Sequence, residues 1–340
     1  EGGTSRPPFF IKTYLHFLFL PLMLQILSTS NETSTGPELV QNGNFTGVTE
    51  LVVDGDFPLP NVNWIIAAST TINGGSATFE GLGIASDYTG ILNTYSGASV
   101  GYSLRLLDNT YTGYAIRVRR SSDNAEQNIG FVSNVLDTAS LETFCASTDG
   151  FVTTWYDQSG NTNDVVQSSA GKQPQIVSGG VTLTENGKPS IDFDGSNDYL
   201  EETVSIAQPF TLFDVRKYND LSSQIAISFD NVGTSIGDGV LGSAFRSYYG
   251  AYLIGESVNV NQGLWYSLGN GGSSAISLNN GAETTGSLGS SGVSSITIGR
   301  LGTGSLVSDV KLQELILYPS DASANKSGVS TNINDFYSIY

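Results

Sequence analysis

The feature that most constrains this chain is a long succession of short β-rich runs separated by turns of glycine, asparagine and aspartate. Runs of this length and spacing are typical of sandwiches and jelly rolls, in which tight turns join antiparallel strands. The sequence therefore predicts an all-β antiparallel sandwich. The runs are AIRVRR, GFVTTWYD, PSIDFDG, FTLFDVRK, QIAISFD, AYLIGES, LWYSLGN, AISLNN, SSITIGR and KLQELILYP.

Two segments depart from this β pattern and predict helices. In LDTASLETFCAS, Asp137 is a plausible N-cap, and Leu141, Phe144 and Cys145 have helical spacing. The segment after Tyr318 predicts a closing helix capped by Ser320 or Asp321. Its apolar stripe is Val329, Ile333, Phe336, Tyr337 and Tyr340.

Composition divides the chain into three parts. Residues 1–30 are hydrophobic but interrupted, which fits a secretory signal or sequence upstream of a start at Met23, and fits a membrane span poorly. Residues 36–95 predict a small β-module, because ELVQNGNF and ELVVDGDF each place a tight turn between apolar ends. Residues 100–340 predict the sandwich domain.

The charge balance disfavours two classes of partner. Acids outnumber bases 32 to 14, and the net charge of −18 repels both nucleic acid and anionic bilayers. Such a surface suits the binding of neutral glycans or divalent cations. The alternative is that the negative charge only keeps the protein soluble.

Histidine and cysteine are too scarce for several kinds of catalytic site. The single histidine, His16, lies in the hydrophobic N-terminal segment, and Cys145 is the single cysteine. Ser-His-Asp triads, Cys-His pairs, intramolecular disulfides and multi-cysteine zinc sites are thereby excluded from the predicted sandwich. We interpret Cys145 as a buried side chain that packs in the core and has no catalytic role. If the protein is a hydrolase, its catalytic groups are carboxylates, as is typical of glycosidases.

Two aromatic clusters are candidate carbohydrate-binding sites. In TWYDQSGNTND the predicted ligands are Trp155, Tyr156, Asp157 and Gln158, because an aromatic ring can stack on a sugar whose hydroxyls bind the polar groups. The alternative is a strand followed by a turn that Asp157 stabilises. FRSYYGAY gathers Tyr248, Tyr249 and Tyr252, and the candidates are Tyr248 and Tyr249. An exposed tyrosine cluster suits glycan or protein contact, and strand packing is the alternative.

Two charged clusters also have two interpretations each. DFDGSND spaces four oxygen-bearing side chains as a calcium ion prefers, although Asp-Gly is equally a hairpin turn. The candidate calcium ligands are Asp192, Asp194, Asn197 and Asp198. The arginines of AIRVRR suit either an anionic polysaccharide or local salt bridges.

Three stretches of the chain resemble a known family. RLLDNTYTGYAIRVRRSSDNAEQNIGF, LDTASLETFCAS and GFVTTWYDQSGNTNDVVQ, within Arg105–Gln167, resemble the catalytic domain of α-L-arabinofuranosidase B. The likeness resumes at ITIGRLG and at LYPSDASANKSGVSTNINDFYSIY, and KPSIDFDGSNDYLEE resembles laminin-G-like domains. The resemblance implies a concanavalin-A-like sandwich. The repeated ELV motif resembles openings of phage virion and tail-associated proteins.

The resemblance also implies a retaining mechanism that uses a glutamate nucleophile and an aspartate acid/base. The family's aspartate falls on a turn that corresponds to Leu301–Ser305, which contains no acid. Glu256 is the best local candidate for the nucleophile. The family's paired pocket cysteines correspond to Ile227 and Ser228.

These departures favour a non-catalytic protein. We expect a carbohydrate-recognition or structural protein, extracellular or on a virion surface, that binds a glycan and needs no cofactor beyond calcium. Contact with neighbouring subunits is a further expectation. The first alternative is an α-L-arabinofuranosidase that releases arabinofuranosyl groups, and the second is a purely structural assembly protein.

Overall fold

The structure, a computed structural model, describes residues 88–222, 224–230, 237–302 and 306–340, and the backbone of two short strands before them. Those two strands, β1 (Thr71–Asn73) and β2 (Ser76–Thr78), pair antiparallel. The chain divides into two compact units, Glu1–Ser86 and Asp87–Tyr340. The hydrophobic segment 1–30 and the repeat in 36–95 lie outside the described residues, so the predicted domain boundaries stay predictions.

Short antiparallel strands dominate the unit Asp87–Tyr340, and helices are few. In the part of this unit that the structure describes, the helices are α1 (Ile91–Thr94), α2 (Thr138–Cys145) and α3 (Lys326–Tyr337), with 3₁₀ turns at Ala170–Lys172, Gly271–Ser273 and Ser323–Asn325. The strands are β3 (Val100–Ser103), β4 (Ile116–Arg120), β5 (Glu126–Ile129), β6 (Phe131–Val132), β7 (Val135–Leu136), β8 (Gly150–Trp155), β9 (Val165–Val166), β10 (Gln175–Ser178), β11 (Val181–Thr182), β12 (Thr184–Glu185), β13 (Lys188–Pro189), β14 (Ile191–Asp194), β15 (Leu200–Glu202), β16 (Phe210–Tyr218), β17 (Gln224–Ser228), β18 (Gly237–Leu241), β19 (Ala244–Tyr248), β20 (Tyr252–Ser257), β21 (Gly263–Gly269), β22 (Ser274–Leu278), β23 (Thr284–Gly286), β24 (Ile296–Ile298) and β25 (Asp309–Tyr318). The predicted all-β antiparallel sandwich is confirmed, since each of the ten runs contains a strand.

Strand β8 joins the two layers of the sandwich. Its first residues pair with β10, which leads through β14, β25, β16 and β21 to β22 and β23. Its last residues pair with β9, which leads through β15, β24, β17 and β18 to β19 and β20. Side chains from both layers fill one shared apolar core.

Strand β16 shows how alternation separates two hydrophobic layers. Phe210 and Leu212 belong to the core between the sheets, whereas Phe213 and Val215 face outward. The outward side chains pack against α1 and α3, which bury Ile91, Val329 and Ile333 among others. Because successive strand side chains point to opposite faces, the nearly continuous apolar run of β16 indicates burial on both sides.

Helix α2 begins as the sequence predicts, because the Asp137 carboxylate accepts a hydrogen bond from the Ser140 N–H at 3.0 Å. The predicted cap of α3 is wrong. Asp321 accepts from the Ser323 N–H and so begins the 3₁₀ turn before α3, while Asn325 is the N-cap residue. Tyr340 is 52% exposed and lies outside the buried stripe that it was predicted to join. No helix within the described residues is long and apolar enough to cross a membrane.

A buried ion pair connects β3, β25 and α3. The Arg105 guanidinium binds both oxygens of Glu314, with Nε to Oε2 at 2.7 Å and Nη2 to Oε1 at 2.8 Å. Ser103 and Tyr337 donate further hydrogen bonds to the same carboxylate, and Arg105 also reaches Asn332 of α3. The pair fixes the closing helix to the sheet.

Candidate functional site

An open pocket lies on the outer face of β8, β10 and β14. In the register, Gln175 is opposite both Phe151 and Asp192, so the three side chains form one row across the sheet. Ile191 and Phe193 are fully buried in the core, so the intervening Asp192 and Asp194 point outward. The cavity measures about 240 Å³ and is lined by Phe151, Ala170, Gly171, Gln173, Gln175, Asp192, Asp194 and Asp198.

The pocket contains a carboxyl group whose pKa is raised toward neutral pH. Asp198 is 8% exposed, and burial, reinforced by the charges of Asp194 and Asp192, raises its pKa to about 7. Burial also raises the pKa of Asp192, against the opposing charge of Lys311. Neighbouring carboxyls with a raised pKa are typical of sites that need an acid near neutral pH.

The turn after β14 fixes the position of Asp194. Its Oδ1 accepts hydrogen bonds from the N–H groups of Ser196 at 2.8 Å and Asn197 at 3.3 Å. Gly195 has φ +70°, and a Cβ there would come within 2.9 Å of the Asp309 side chain. The turn therefore requires glycine at this position.

The opposite wall of the pocket is held by Arg119. Its Nε donates to Gln173 Oε1 at 2.7 Å, and its guanidinium lies 4.9 Å from the centre of the Phe151 ring. Gln173 in turn donates to the Gln167 carbonyl at 2.8 Å. The other two arginines of β4 form the predicted local salt bridges, Arg117 with Glu126 and Arg120 with Asp123, each at 2.7 Å.

The four predicted calcium ligands lie at this pocket and its turn. Among the described residues, no group of three or more histidine, cysteine, aspartate or glutamate side chains is arranged to hold a metal ion. The hydrogen bonds of Asp194 agree with the turn interpretation, and calcium binding stays a prediction.

The TWYDQSGNTND segment is a turn with buried side chains. Trp155 is fully buried, and its ring lies 5.8 Å from that of Tyr102, so neither face is open to a sugar. Asp157 accepts from the Gly101, Ser159 and Asn163 N–H groups. Gln158 bonds the backbone of Ser103, Arg105 and Leu107. Of the four predicted ligands, only Tyr156 is partly exposed. The segment therefore ties the end of β8 to β3.

The two adjacent tyrosines at the end of β19 point in opposite directions. Tyr248 is partly exposed, whereas Tyr249 is fully buried and cannot reach a surface ligand.

The described residues at the positions that the family resemblance singles out do not line the pocket. Glu256 is exposed on β20, and its Oε1 accepts from the Leu278 N–H at 3.1 Å. Ile227 and Ser228 are buried in β17. Residues 303–305 of the turn in which the family aspartate is expected lie outside the described part.

A buried polar cluster escaped prediction. Asp214, Arg216 and Asp238 are fully buried between the sheets, and Asp238 accepts from the Tyr249 hydroxyl at 2.7 Å. Burial and the charge of Asp238, opposed by Arg216, raise the pKa of Asp214 to about 7. The alternation in FTLFDVRK could have revealed this cluster, because Asp214 and Arg216 lie on the same face of the strand as Leu212.

Cys145 is buried as predicted, and burial raises the pKa of its thiol to about 11, so it is unsuited to nucleophilic attack.

The region that contains the pocket is similar in sequence to a known family. Residues 94–200 match the family model described as "Alpha-L-arabinofuranosidase B, catalytic". A probable α-L-arabinofuranosidase B of Aspergillus clavatus is 28% identical over 183 residues, which cover 52% of this chain and 31% of that protein. The α-L-arabinofuranosidase B of Emericella nidulans is 29% identical over 181 residues, 52% of this chain and 30% of that protein. The chain therefore spans about a third of the curated relatives it matches.

Solved structures show the same fold. An arabinofuranosidase complexed with arabinofuranosyl-α-1,2-xylobiose has a TM-score of 0.54 at 17% identity, covering 72% of this chain and 64% of that one. A GH54 α-L-arabinofuranosidase soaked with a cyclic sulfate inhibitor has a TM-score of 0.55 at 19% identity, with the same coverage. The chain therefore carries an antiparallel β-sandwich that resembles the catalytic domain of α-L-arabinofuranosidase B.

Proposed function

We propose that this chain is a glycoside hydrolase domain that removes α-L-arabinofuranosyl groups from a polysaccharide. One observation carries the proposal. Every residue that lines the pocket lies between Phe151 and Asp198, inside the region 94–200 that matches the catalytic family. The pocket thus combines the family region with three carboxyl groups, of which Asp194 is exposed.

The carboxyl groups suit the two roles that glycoside hydrolysis needs. Asp198 carries a proton near neutral pH and donates it to the glycosidic oxygen as the bond from that oxygen to the anomeric carbon breaks. Asp192 or Asp194 supplies the second carboxylate, which stabilises or attacks the anomeric carbon. Water then completes hydrolysis and restores the proton to Asp198.

The size of the cavity favours a single sugar over an extended chain. At about 240 Å³, it lies below the range of roughly 300–1,000 Å³ that is typical of ligand pockets. Phe151 offers an apolar wall for the ring, and Gln175 and the carboxylates offer hydrogen bonds to its hydroxyls. Such a pocket suits a terminal side group of a polysaccharide.

The test is hydrolysis of an aryl α-L-arabinofuranoside by the full chain and by Asp198→Asn. We expect the variant to lose at least about 100-fold in kcat, because asparagine cannot donate the proton. Asp335→Asn, which removes an exposed acid on α3, is the matched control and should retain full activity. Equal rates for Asp198→Asn and the unsubstituted chain would exclude Asp198 as the acid.

Glycan recognition without hydrolysis is the second candidate. It is favoured because the turn Leu301–Ser305 has no acid and Glu256 is exposed away from the pocket. Binding of arabinofuranosyl oligosaccharides without release of arabinose would select it. Absence of both binding and hydrolysis would favour a structural role. For either glycan function we propose an extracellular or virion-surface location.

A further inference from the structure

We propose that the outer face of β19 and β20 is a second glycan-binding surface, which holds the backbone of a neutral polysaccharide. It extends the proposed function, because a backbone held here would carry the side groups that enter the pocket. The surface, here called the tyrosine face, consists of Arg246, Tyr248, Tyr252 and Ile254. It uses different strands from the pocket.

The antiparallel register builds the tyrosine face from two neighbouring pairs. Tyr248 is opposite Tyr252, and Arg246 is opposite Ile254. The two tyrosine rings are 4.4 Å apart between centroids and inclined at 44°. The Arg246 guanidinium lies 5.3 Å from the centre of the Tyr252 ring. Each ring is therefore held by a neighbour before any ligand arrives.

The tyrosine face is open to solvent while the reverse side of the same strands is buried. Tyr252 and Ile254 are each 54% exposed, whereas Phe245 and Ser247 are fully buried. Leu241 of the adjacent strand β18 is 40% exposed and extends the apolar area. Strand β20 pairs with β19, so a ligand can approach the outward side chains of both strands together.

The chemistry of the tyrosine face favours a neutral polyhydroxylated chain. Tyrosine rings present flat apolar faces to the C–H side of a sugar, and their hydroxyls bond its oxygens. Arg246 is partly exposed and its guanidinium lies against the Tyr252 ring, so it adds hydrogen-bond donors beside the rings. The net charge of −18 repels polyanions.

The shape of the tyrosine face favours an extended chain. From Tyr252 to Ile254 the strand advances about 7 Å at roughly 3.3 Å per residue, and Leu241 extends the apolar area onto β18. An exposed surface that spans neighbouring strands can contact more than one sugar, whereas the volume of the pocket suits one. The two sites thus suit the two parts of a branched polysaccharide.

The test is retention on insoluble arabinoxylan by the full chain and by the double variant Tyr248→Ala/Tyr252→Ala. We expect about a tenfold rise in the dissociation constant for the double variant, since each lost ring contact contributes to affinity. The rate on the aryl arabinofuranoside should be unchanged. Tyr252→Phe, which keeps the ring, should retain binding within about threefold. Tyr340→Ala is the matched control, because Tyr340 is 52% exposed and Tyr252 54%.

The outcomes separate this inference from the proposed function. Binding that depends on the two tyrosines, without any hydrolysis, would support the tyrosine face and reject the hydrolase. Hydrolysis of the aryl substrate with arabinoxylan binding unchanged in the double variant would reject the tyrosine face alone. Loss of self-association in the double variant, with polymer binding intact, would assign the face to a protein contact and overturn the inference.

Discussion

At the scale of single residues, Asp198 has the greatest consequence. It is enclosed beside Asp194 and Asp192 at the edge of an open pocket, and its pKa is raised to about 7. The native state therefore keeps a proton on this carboxyl at pH values where the unfolded chain, with an ordinary pKa near 3.8, has released it. The same feature that suits Asp198 to act as an acid also makes it costly to ionise.

This raised pKa predicts a pH dependence of stability. Between about pH 4 and pH 7 the unfolded state loses the proton and the native state does not, so stability falls as pH rises and levels off above pH 7. Asp198→Asn removes this contribution. Relative to the unsubstituted chain, we expect the variant to gain about 1–2 kcal/mol between pH 4 and pH 7.5, since solvent in the open pocket weakens the effect.

The measurement is urea unfolding of both proteins at a series of pH values. Asp214, whose pKa is also raised, contributes the same slope to both and cancels in the difference. A constant difference across the series would show that Asp198 titrates normally in the native state.

At the scale of elements, closure of the domain depends on the contact between β3, β25 and α3. The Arg105–Glu314 pair at this junction has exposed side-chain fractions of only 5% and 0%. A charge buried this deeply is stable only while its partner remains. Because the pair contacts all three elements, α3 packs stably only when β3 and β25 are both in place.

We predict that Arg105→Met destabilises the domain by about 3–5 kcal/mol, because it leaves the Glu314 carboxylate buried without its counter-charge. Arg117→Met is the matched control. It breaks a pair whose side chains are 47% and 35% exposed and should cost no more than about 1 kcal/mol. Chemical denaturation of the two variants measures both values, and equal losses would contradict the assignment.

Local sequence pattern was sufficient to predict ten of the described strands and the helices α2 and α3, but not the pocket. The strands and the Asp137 cap depend on nearby residues, so alternation and capping chemistry reveal them. The pocket brings together Phe151, Gln175 and Asp192 from three strands, and only the pairing of those strands makes them neighbours. Likewise, alternation indicates that Tyr248 and Tyr249 face opposite ways, but it does not say which one is buried.

At the scale of the whole molecule, charge and shape act together on the choice of ligand. The chain carries a net charge of −18, and both the open carboxyl-lined pocket and the tyrosine face belong to the unit Asp87–Tyr340. Long-range repulsion therefore opposes an anionic polymer before any short-range contact forms.

We accordingly predict tighter binding to neutral arabinoxylan than to a carboxylated polysaccharide such as polygalacturonate at low salt. Screening weakens the repulsion as the Debye length falls from about 30 Å at 0.01 M to about 3 Å at 1 M. The retained fraction on each polymer across this salt range is the measurement. Preference for the carboxylated polymer at low salt would contradict the prediction.

The central position of β25 has a consequence for biosynthesis. This strand is the last of those described, yet it pairs with β16 on one side and with β3 and β14 on the other. Contacts such as Ser103 to Glu314 span 211 residues. A nascent chain must therefore hold three early strands without their common neighbour until β25 leaves the ribosome. Unpaired strand edges invite association with other chains, so completion of the domain is a late, nearly all-or-none event in its synthesis.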